Sequence, residues 1–332
     1  MTSAKVSDLD YINFLIATPS DYSCTEASKV QPSSDDAPSH DAITRFLHRH
    51  PPNTDLLWHE AKPLVKRHQG ILSVDETVLD KFYANAMDLV QWQWSGRHGR
   101  VVKGISLTTL LWTDGDQHIP CDYRLYEKQV DGKTKNDHCR EMLTEAVRRG
   151  FEPRCVAFDS WFSSIANLKH IRDLGWVWLT RLRSNRLVNP DGTGNRPIRE
   201  VELPTDRGIR VHLKKYGFVQ VFKTVAPDGS VDYWATNDLS MDALERLKFG
   251  EWEWSIEDYH RGLKQCCGVD RAQVRSSGGQ RTHIGCAIRA FLRFEEHFHT
   301  TGVSWYEAKR SIVRSAVRQF LRFPCLESTA YS

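Results

Sequence analysis

Several features are scarce in this 332-residue sequence, and each absence excludes a class of protein. No apolar run approaches the ~20 residues that a membrane-spanning helix needs, and no signal-like apolar segment opens the sequence, so we expect a soluble protein that is not exported. The eight cysteines show no framework spacing, which indicates reduced thiols, mostly in the core. No glycine-rich phosphate loop is present, so ATP is not implied.

The charge of the sequence is nearly balanced overall but uneven along its length. Residues 1–70 carry 7 Lys and Arg against 9 Asp and Glu, whereas residues 270–332 carry 10 against 5. A basic segment suits a polyanion such as DNA, because Lys and Arg that contact phosphates release bound counterions. Ordinary solvated helix faces carry the same kind of charge. Charge alone leaves both interpretations of the basic end open.

The pattern of apolar residues predicts a change of architecture near Gly70. The first 70 residues predict short helices around a Ser-, Asp- and Pro-rich loop over 20–39, forming either a DNA-binding arm or a cover for a sheet. The next segments predict strands over 71–77, 101–112, 118–126, 154–159 and 176–182, with helices over 135–149 and 163–173. A three-strand meander followed by helix, strand, helix and strand is the order of an RNase H-like α/β fold.

Residues 183–250 interrupt this alternation. Turn signals at 189–194 and 227–229 separate short strand-like runs, which predict a mostly antiparallel β insertion within the α/β domain. Trp161 and Trp234 are interpreted as core or β-packing residues rather than base-stacking groups. The predicted parts of the chain are a helical N-terminal region over 1–70, a catalytic domain over 71–298, and a basic helical tail over 299–332.

Two apolar runs within the predicted strands each end on a single aspartate. Asp75 follows an Ile-Leu-Ser-Val run, and Asp159 follows a Cys-Val-Ala-Phe run. Parallel strands carry ligand-binding residues at their carboxyl ends, where these two acids would meet. Because Mg²⁺ prefers oxygen ligands and leaves positions open for phosphates, the pair indicates phosphoryl transfer on nucleic acid. Taken alone, each acid is also compatible with a turn or a helix cap.

A third acid lies on a predicted amphipathic helix. Ser255 is expected to cap this helix, with Asp258 as the reciprocal partner of a capping box. Its predicted packing stripe consists of Ile256, Tyr259 and Leu263. Glu257, Arg261 and Lys264 fall on the adjacent stripe, which would present a carboxylate and two cations along a phosphate backbone. A surface Glu–Arg ion pair without any function explains the same spacing.

These segments resemble a known family over about residues 72–298. The matching motifs are SVDET at 73–77, KG at 103–104, IPCDYRLY at 119–126, FDSWF at 158–162, RLRSNR at 181–186 and WSIEDYHRGLKQ at 254–265. They resemble the DDE transposases of bacterial insertion sequences, whose catalytic domain is RNase H-like. One branch of that family has a Tyr-(2)-Arg-(3)-Glu-(6)-Lys signature. Glu257 and Lys264 match it, whereas Gly250 and Glu253 stand at its Tyr and Arg positions.

The resemblance implies a DNA transposase that cleaves and rejoins strands at the ends of a mobile element. Its implied ligands for two Mg²⁺ ions, or Mn²⁺ in their place, are Asp75, Asp159 and Glu257. Its implied DNA contacts are Arg261, Lys264, Lys103, Arg183 and Arg186. Work on two DNA ends implies a homodimer, and we expect a cytoplasmic protein that associates with the nucleoid when it binds DNA. An RNase H-like nuclease without strand transfer and a non-catalytic DNA-binding derivative stay open as alternatives.

Overall fold

The computed structural model describes two compact units. The residues that it describes are 5–32, 37–49, 54–96 and 98–324. We call the described residues of 54–84 and 89–260 the sheet unit, and those of 1–53, 85–88 and 261–332 the helical unit. The predicted division at residues 70 and 298 differs from this grouping and stays a prediction. In the grouping, the described residues before 54 and after 260 belong to one unit.

The sheet unit is built around one mixed sheet. Its strands are β1 (Ile71–Asp80), β2 (Gln91–Ser95), β3 (Arg100–Thr113), β4 (His118–Tyr126), β5 (Cys155–Phe158), β6 (Trp178–Leu182), β7 (Leu187–Asn189), β8 (Arg196–Pro197), β9 (Ile209–Leu213), β10 (Gly217–Val225) and β11 (Val231–Thr236). The helices that accompany them are α4 (Thr54–Ala61), α5 (Lys128–Asp131), α6 (Lys135–Arg148), α7 (Ile165–Asp173) and most of α8 (Ala243–Cys267).

The first half of the sheet confirms the predicted mixed α/β order. β1 pairs antiparallel with β3, β3 pairs antiparallel with β4, and β1, β5 and β6 are parallel neighbours. Helix α6 connects β4 to β5, and α7 connects β5 to β6. α7 is capped by Ser164, whose hydroxyl accepts the backbone N–H of Asn167 at 3.2 Å. β1 and β5 therefore run in the same direction, and β1 continues beyond its last pair with β5 as far as Asp80.

The predicted β insertion extends this sheet. β6 pairs antiparallel with β11, and the order continues through β10, β9, β7 and β8. A buried cluster beneath these strands joins both halves, including Ile71, Ala157 and Leu179 from the first half and Phe222 and Trp234 from the insertion. Trp234 is buried, as predicted for a packing residue. The insertion is fixed against the first half of the sheet, because its strands share hydrogen bonds and a buried core with the strands that carry the acids.

The helical unit contains α1 (Asp8–Ala17), α2 (Cys24–Lys29), α3 (His40–Arg49), α9 (Ser277–Thr301) and α10 (Trp305–Arg322). Its core forms where α1 and α3 pack on α9, and the Tyr11 hydroxyl contacts Nδ1 of His283 at 2.9 Å. α8 ends within this unit just before Gly268, whose φ of +59° favours glycine. A side chain there would also collide with the Tyr22 ring. The predicted C-terminal helices are confirmed, and α10 is basic and largely exposed.

Three local predictions were wrong. The segment 20–39 is not all loop, because Ser23 caps the short helix α2 by accepting the backbone N–H of Glu26. No strand was predicted between residues 77 and 101, yet Gln91–Ser95 pairs with β3 as the edge strand β2. Ser255 does not cap a helix, because α8 begins twelve residues earlier, at Ala243, and Ser255 is buried inside it. Among the described helices, none has both the length and the apolarity that crossing a membrane requires.

Candidate active site

Asp75 and Asp159 lie side by side in the sheet unit. Only Asp159 follows the end of its strand; the prediction that Asp75 ends a strand was wrong, because β1 continues to Asp80. The last paired positions of the parallel strands β1 and β5 are Val74 and Phe158. Asp75 and Asp159 directly follow these partners. Neighbouring strands are about 4.8 Å apart, so equal register brings the two residues together where β5 ends, midway along β1. Burial of the preceding apolar residues on both strands fixes this position.

Helix α8 brings two more ligand groups to Asp75. Glu257 and His260 lie three residues apart on this helix and therefore project from neighbouring turns on one side. One ligand atom from each of Asp75, Glu257 and His260 lies within 4.8 Å of the other two. Oδ2 of Asp75 and Nδ1 of His260 are 3.6 Å apart. His260 is buried and Glu257 is exposed, so the group is reached from solvent on the side of the glutamate.

Asp159 lies beside this group of three rather than within it. Its Oδ1 atom accepts the backbone N–H of Trp161 at 2.9 Å and that of Phe162 at 3.4 Å. The Thr180 hydroxyl donates to its backbone carbonyl at 3.1 Å. Asp159 thus has the hydrogen bonds of a turn residue, as its alternative interpretation expected. The turn also holds its carboxylate next to Asp75.

The carboxyl groups of this site repel one another electrostatically. Burial raises the pKa of Asp75 well above its usual range, and the negative charges of Asp159 and Glu257 raise it further. Burial also raises the pKa of Asp159, although its two backbone N–H donors lower it. Desolvated carboxylates at this spacing are stabilised by a positive charge between them.

Sequence reasoning missed a fourth acid and its partner. Glu253 lies one turn before Glu257 on α8, is buried, and accepts a hydrogen bond from Nη2 of Arg181 at 3.3 Å. Burial raises the pKa of Glu253 to about 7, against the lowering effect of Arg181. The sequence does contain a signal for Glu253: it lies four residues before Glu257, and acids at i and i+4 share one helix face. His260, at i+3 from Glu257, carried a similar signal.

The donor set fits a hard or borderline divalent cation. Carboxylate oxygens suit Mg²⁺ and Mn²⁺, and an imidazole nitrogen is a better ligand for Mn²⁺ than for Mg²⁺. The raised pKa of Asp75 independently supports a cation at this site. A bound cation would offset the repulsion from Asp159 and Glu257 that contributes to the rise. The residues that could hold a metal ion are Asp75, Asp159, Glu257 and His260.

The predicted DNA contacts are distributed unequally around the acids. Arg183 and Arg186 follow the end of β6, the parallel neighbour of β5, and thus lie on the same edge as Asp159. Arg261 and Lys264 lie one and two turns beyond Glu257 on α8. Lys103 is remote, because Thr109 and not Lys103 pairs with Asp75, and six strand residues span about 20 Å. Its ammonium lies over the Trp92 ring instead, 5.5 Å from the ring centroid.

Solved transposase structures resemble this chain weakly. A piggyBac transposase synaptic complex with hairpin DNA has a TM-score of 0.48 and 16% identity, covering 98% of this chain and 76% of its own. A Drosophila P element transposase strand transfer complex has a TM-score of 0.28 and 12% identity, covering 53% and 37%. A Mos1 transposase paired-end complex has a TM-score of 0.18 and 17% identity, covering 53% and 59%. No curated protein matches the sequence.

A protein-family model gives the decisive comparison. The model described as DDE superfamily endonuclease matches residues 15–220, which is more than half of the chain. The match contains Asp75 and Asp159, which follow paired positions of β1 and β5, and it stops before Glu257, so the third acid rests on the geometry of α8. With this match, the chain belongs to the DDE superfamily of endonucleases, which carry out phosphoryl transfer on DNA.

Proposed function

We propose that this protein is a DNA transposase, which cleaves DNA at the ends of an insertion sequence and joins the freed ends to target DNA. The observation that carries the proposal is the convergence of Asp75, Glu257 and His260 within 4.8 Å, beside Asp159. The family membership makes DNA the substrate of this site. The sequence resemblance around Glu257 favours a transposase within that family.

The acids would hold two Mg²⁺ ions, or Mn²⁺ in their place. The residues that would hold these ions are Asp75, Asp159 and Glu257. Two such ions stabilise the attacking and the leaving oxygen of an in-line displacement at phosphorus. Glu253 is turned towards Arg181, so in this proposal it stays an ion-pair partner and does not bind metal.

The arginines and the lysine near the site would position the DNA backbone. Arg183 and Arg186 lie on the Asp159 side, and Arg261 and Lys264 continue the exposed side of α8 beyond Glu257. Cations that contact phosphates hold a strand in register without reading its sequence. We leave Lys103 out of this set because it lies about 20 Å along the sheet from Asp75.

A two-step assay tests the proposal. The donor is a plasmid that carries the gene with the DNA flanking it on both sides, supplied with Mg²⁺ and a supercoiled target. We expect double-strand cleavage at fixed positions in the flanks, followed by insertion of the released fragment into the target. The Glu257→Gln protein, prepared identically, serves as the control and should do neither.

The outcomes of this assay separate the alternatives. Cleavage without joining, also when the ends are supplied pre-cut with free 3′-hydroxyls, would identify a nuclease that lacks strand transfer. Binding without cleavage in either metal would identify a non-catalytic derivative. A homodimer is part of the proposal, because two ends are processed together. In mixtures of wild-type and Glu257→Gln protein, the joining activity should then fall more steeply than the fraction of wild-type subunits.

A second experiment tests the phosphate contacts on α8. Lys264→Ala should weaken binding about equally for all DNA sequences and reduce the slope of log affinity against log salt by about one. Leu263→Ala is the control, because Leu263 is fully buried and its truncation should lower folding stability by about 2–5 kcal/mol. An unchanged salt slope for Lys264→Ala would remove Lys264 from the proposed contacts.

A further inference from the structure

The loop after Asp159 exposes a tryptophan at the rim of the acid site. The side chain of Trp161 is 47% exposed, which corrects its interpretation as a core residue. The loop is nevertheless firmly held: the backbone N–H of Trp161 donates to Asp159, and the next residue, Phe162, is buried. A single exposed aromatic side chain is ordinary on a protein surface and indicates nothing by itself.

Two arginines adjoin this tryptophan. The Arg183 guanidinium lies 5.9 Å from the centroid of the Trp161 ring. Arg186 is held by the same loop, because its Nη2 donates to the backbone carbonyl of Ser163 at 3.1 Å. Burial and the nearby Arg183 charge lower the pKa of Arg186. Within the described residues, neither arginine forms an ion pair with a carboxylate.

This combination is specific in its chemistry. Two like charges held together without an acidic partner favour an anionic ligand, and a phosphate group satisfies both. A flat aromatic face beside them adds a surface for a planar ring, and a guanidinium stacks on the same kind of ring. Nucleotides combine a phosphate with a planar base. A base reaches such a face only when it is unpaired, because paired bases are stacked inside the duplex.

We propose that Trp161 and Arg183 form a stacking platform for one unpaired DNA base next to the phosphate that is cleaved, while Arg186 contacts the neighbouring phosphate. This inference rests on the proposed function, because it assumes that DNA reaches the acid site. It adds that the site prefers DNA with a locally unpaired base over continuous duplex. The turn of Asp159 couples the two features, since the same carboxylate anchors the platform loop and adjoins Asp75.

The test uses two 30-base-pair duplexes that differ at one position. One contains a single unpaired 2-aminopurine, and the other pairs that base with thymine. Affinity is measured by fluorescence anisotropy of an end label, with Ca²⁺ in place of Mg²⁺ to prevent cleavage. The 2-aminopurine emission reports stacking directly, because an aromatic contact quenches it. Thermal unfolding confirms that each variant folds.

We expect the wild-type protein to quench the unpaired 2-aminopurine and to bind that duplex more tightly than the paired one. Trp161→Ala should weaken binding to the unpaired duplex about 5- to 100-fold and abolish quenching, with less than a twofold effect on the paired duplex. Trp161→Phe should restore most of both signals. Arg183→Lys should keep binding to the paired duplex but reduce quenching, because lysine retains the charge without the planar group.

Trp94→Ala is the matched control. Trp94 is 57% exposed on the edge strand β2, where it pairs with Val101, and its loss should change neither signal. If Trp161→Ala matches Trp94→Ala on both duplexes while the wild-type protein binds and cleaves DNA, the platform is wrong and the proposed function stands. If the wild-type protein binds neither duplex, both proposals are wrong.

Discussion

Two buried aspartates in the same sheet show how differently a fold can surround the same side chain. Asp75 ends the shared run of β1 and β5, and its nearest charged groups include Asp159, Glu257 and Glu253. Asp122 lies on β4, two strands away, and is fully buried. Burial raises the pKa of both carboxyl groups, but the neighbouring charges act in opposite directions.

Asp122 is compensated by the fold itself. Its carboxylate forms an ion pair with Arg124 and accepts the backbone N–H of Tyr123 at 2.8 Å. Arg149 approaches it at 3.9 Å and donates to the carbonyl of Cys121 at 2.8 Å. Both arginines lower the pKa of Asp122. At Asp75, by contrast, the neighbouring carboxylates raise the pKa, and a bound cation would offset their repulsion. The sign of the neighbouring charge therefore distinguishes a ligand acid from a structural acid.

The largest expected effect of this comparison is on catalysis. Asp75→Asn, Asp159→Asn and Glu257→Gln should each reduce DNA cleavage by about 10³-fold or more, because metal ligands act as one unit. Asp75→Asn should not lower the free energy of unfolding of the metal-free protein, since it removes repulsion. Cleavage rates and chemical denaturation in EDTA measure the two quantities. Wild-type-like cleavage in any of the three variants would exclude that residue from the site.

The second prediction concerns the compensated acid. Arg149→Met should lower the free energy of unfolding by about 3–5 kcal/mol, because it leaves the buried Asp122 carboxylate without one of its cations. Arg148→Met is the matched control: Arg148 is 76% exposed and its loss should change stability by less than about 0.5 kcal/mol. Equal effects of the two substitutions in urea denaturation would show that Asp122 does not depend on Arg149.

The third prediction uses pH and metal removal. Because the pKa of Glu253 is about 7 in the folded protein against 4.5 ordinarily, the folded state keeps a proton that the unfolded state loses. The free energy of unfolding in EDTA should therefore fall between about pH 4.5 and 7, by on the order of 3 kcal/mol from this group. The raised pKa values of Asp75 and Asp159 act in the same direction.

Added Mg²⁺ should flatten this fall, because it stabilises the ionised carboxylates. Glu253→Gln should flatten it without metal, whereas a substitution of the exposed Glu152 should leave the profile unchanged. Denaturation curves at several pH values provide the measurement. A wild-type profile that rises over this range would contradict the charge arrangement described for the site.

The smallest effect is expected at His260. His260→Gln should weaken Mn²⁺ binding by about 10- to 100-fold in calorimetric titration, because it removes a group within reach of the ion. His212→Gln, at an exposed position on β9, should leave the affinity unchanged. Equal Mn²⁺ affinity in both variants would restrict the ligands to the carboxylates.

Much of the fold followed from local patterns. The strand β4 was predicted at its observed limits, and β1 and α6 began where expected, because their alternating or helical apolar periods are strong. The packing stripe of α8 was also correct, since Ile256, Tyr259 and Leu263 are buried. The start of α8 was missed because Ser255 has the local form of a cap, although the helix continues through it.

The sequence by itself determined that two acids follow buried apolar runs of neighbouring strands, that a third lies on the exposed side of a helix, and that the strands are joined in a mixed α/β order. Those properties depend on residues near one another in the chain. The sequence did not show that β1 continues past Asp75 to Asp80. Only the tertiary structure decided that His260 approaches Asp75, that Arg181 pairs with Glu253, and that Arg149 approaches Asp122. These pairings join residues 185, 72 and 27 positions apart, which the register and packing of neighbouring elements bring together.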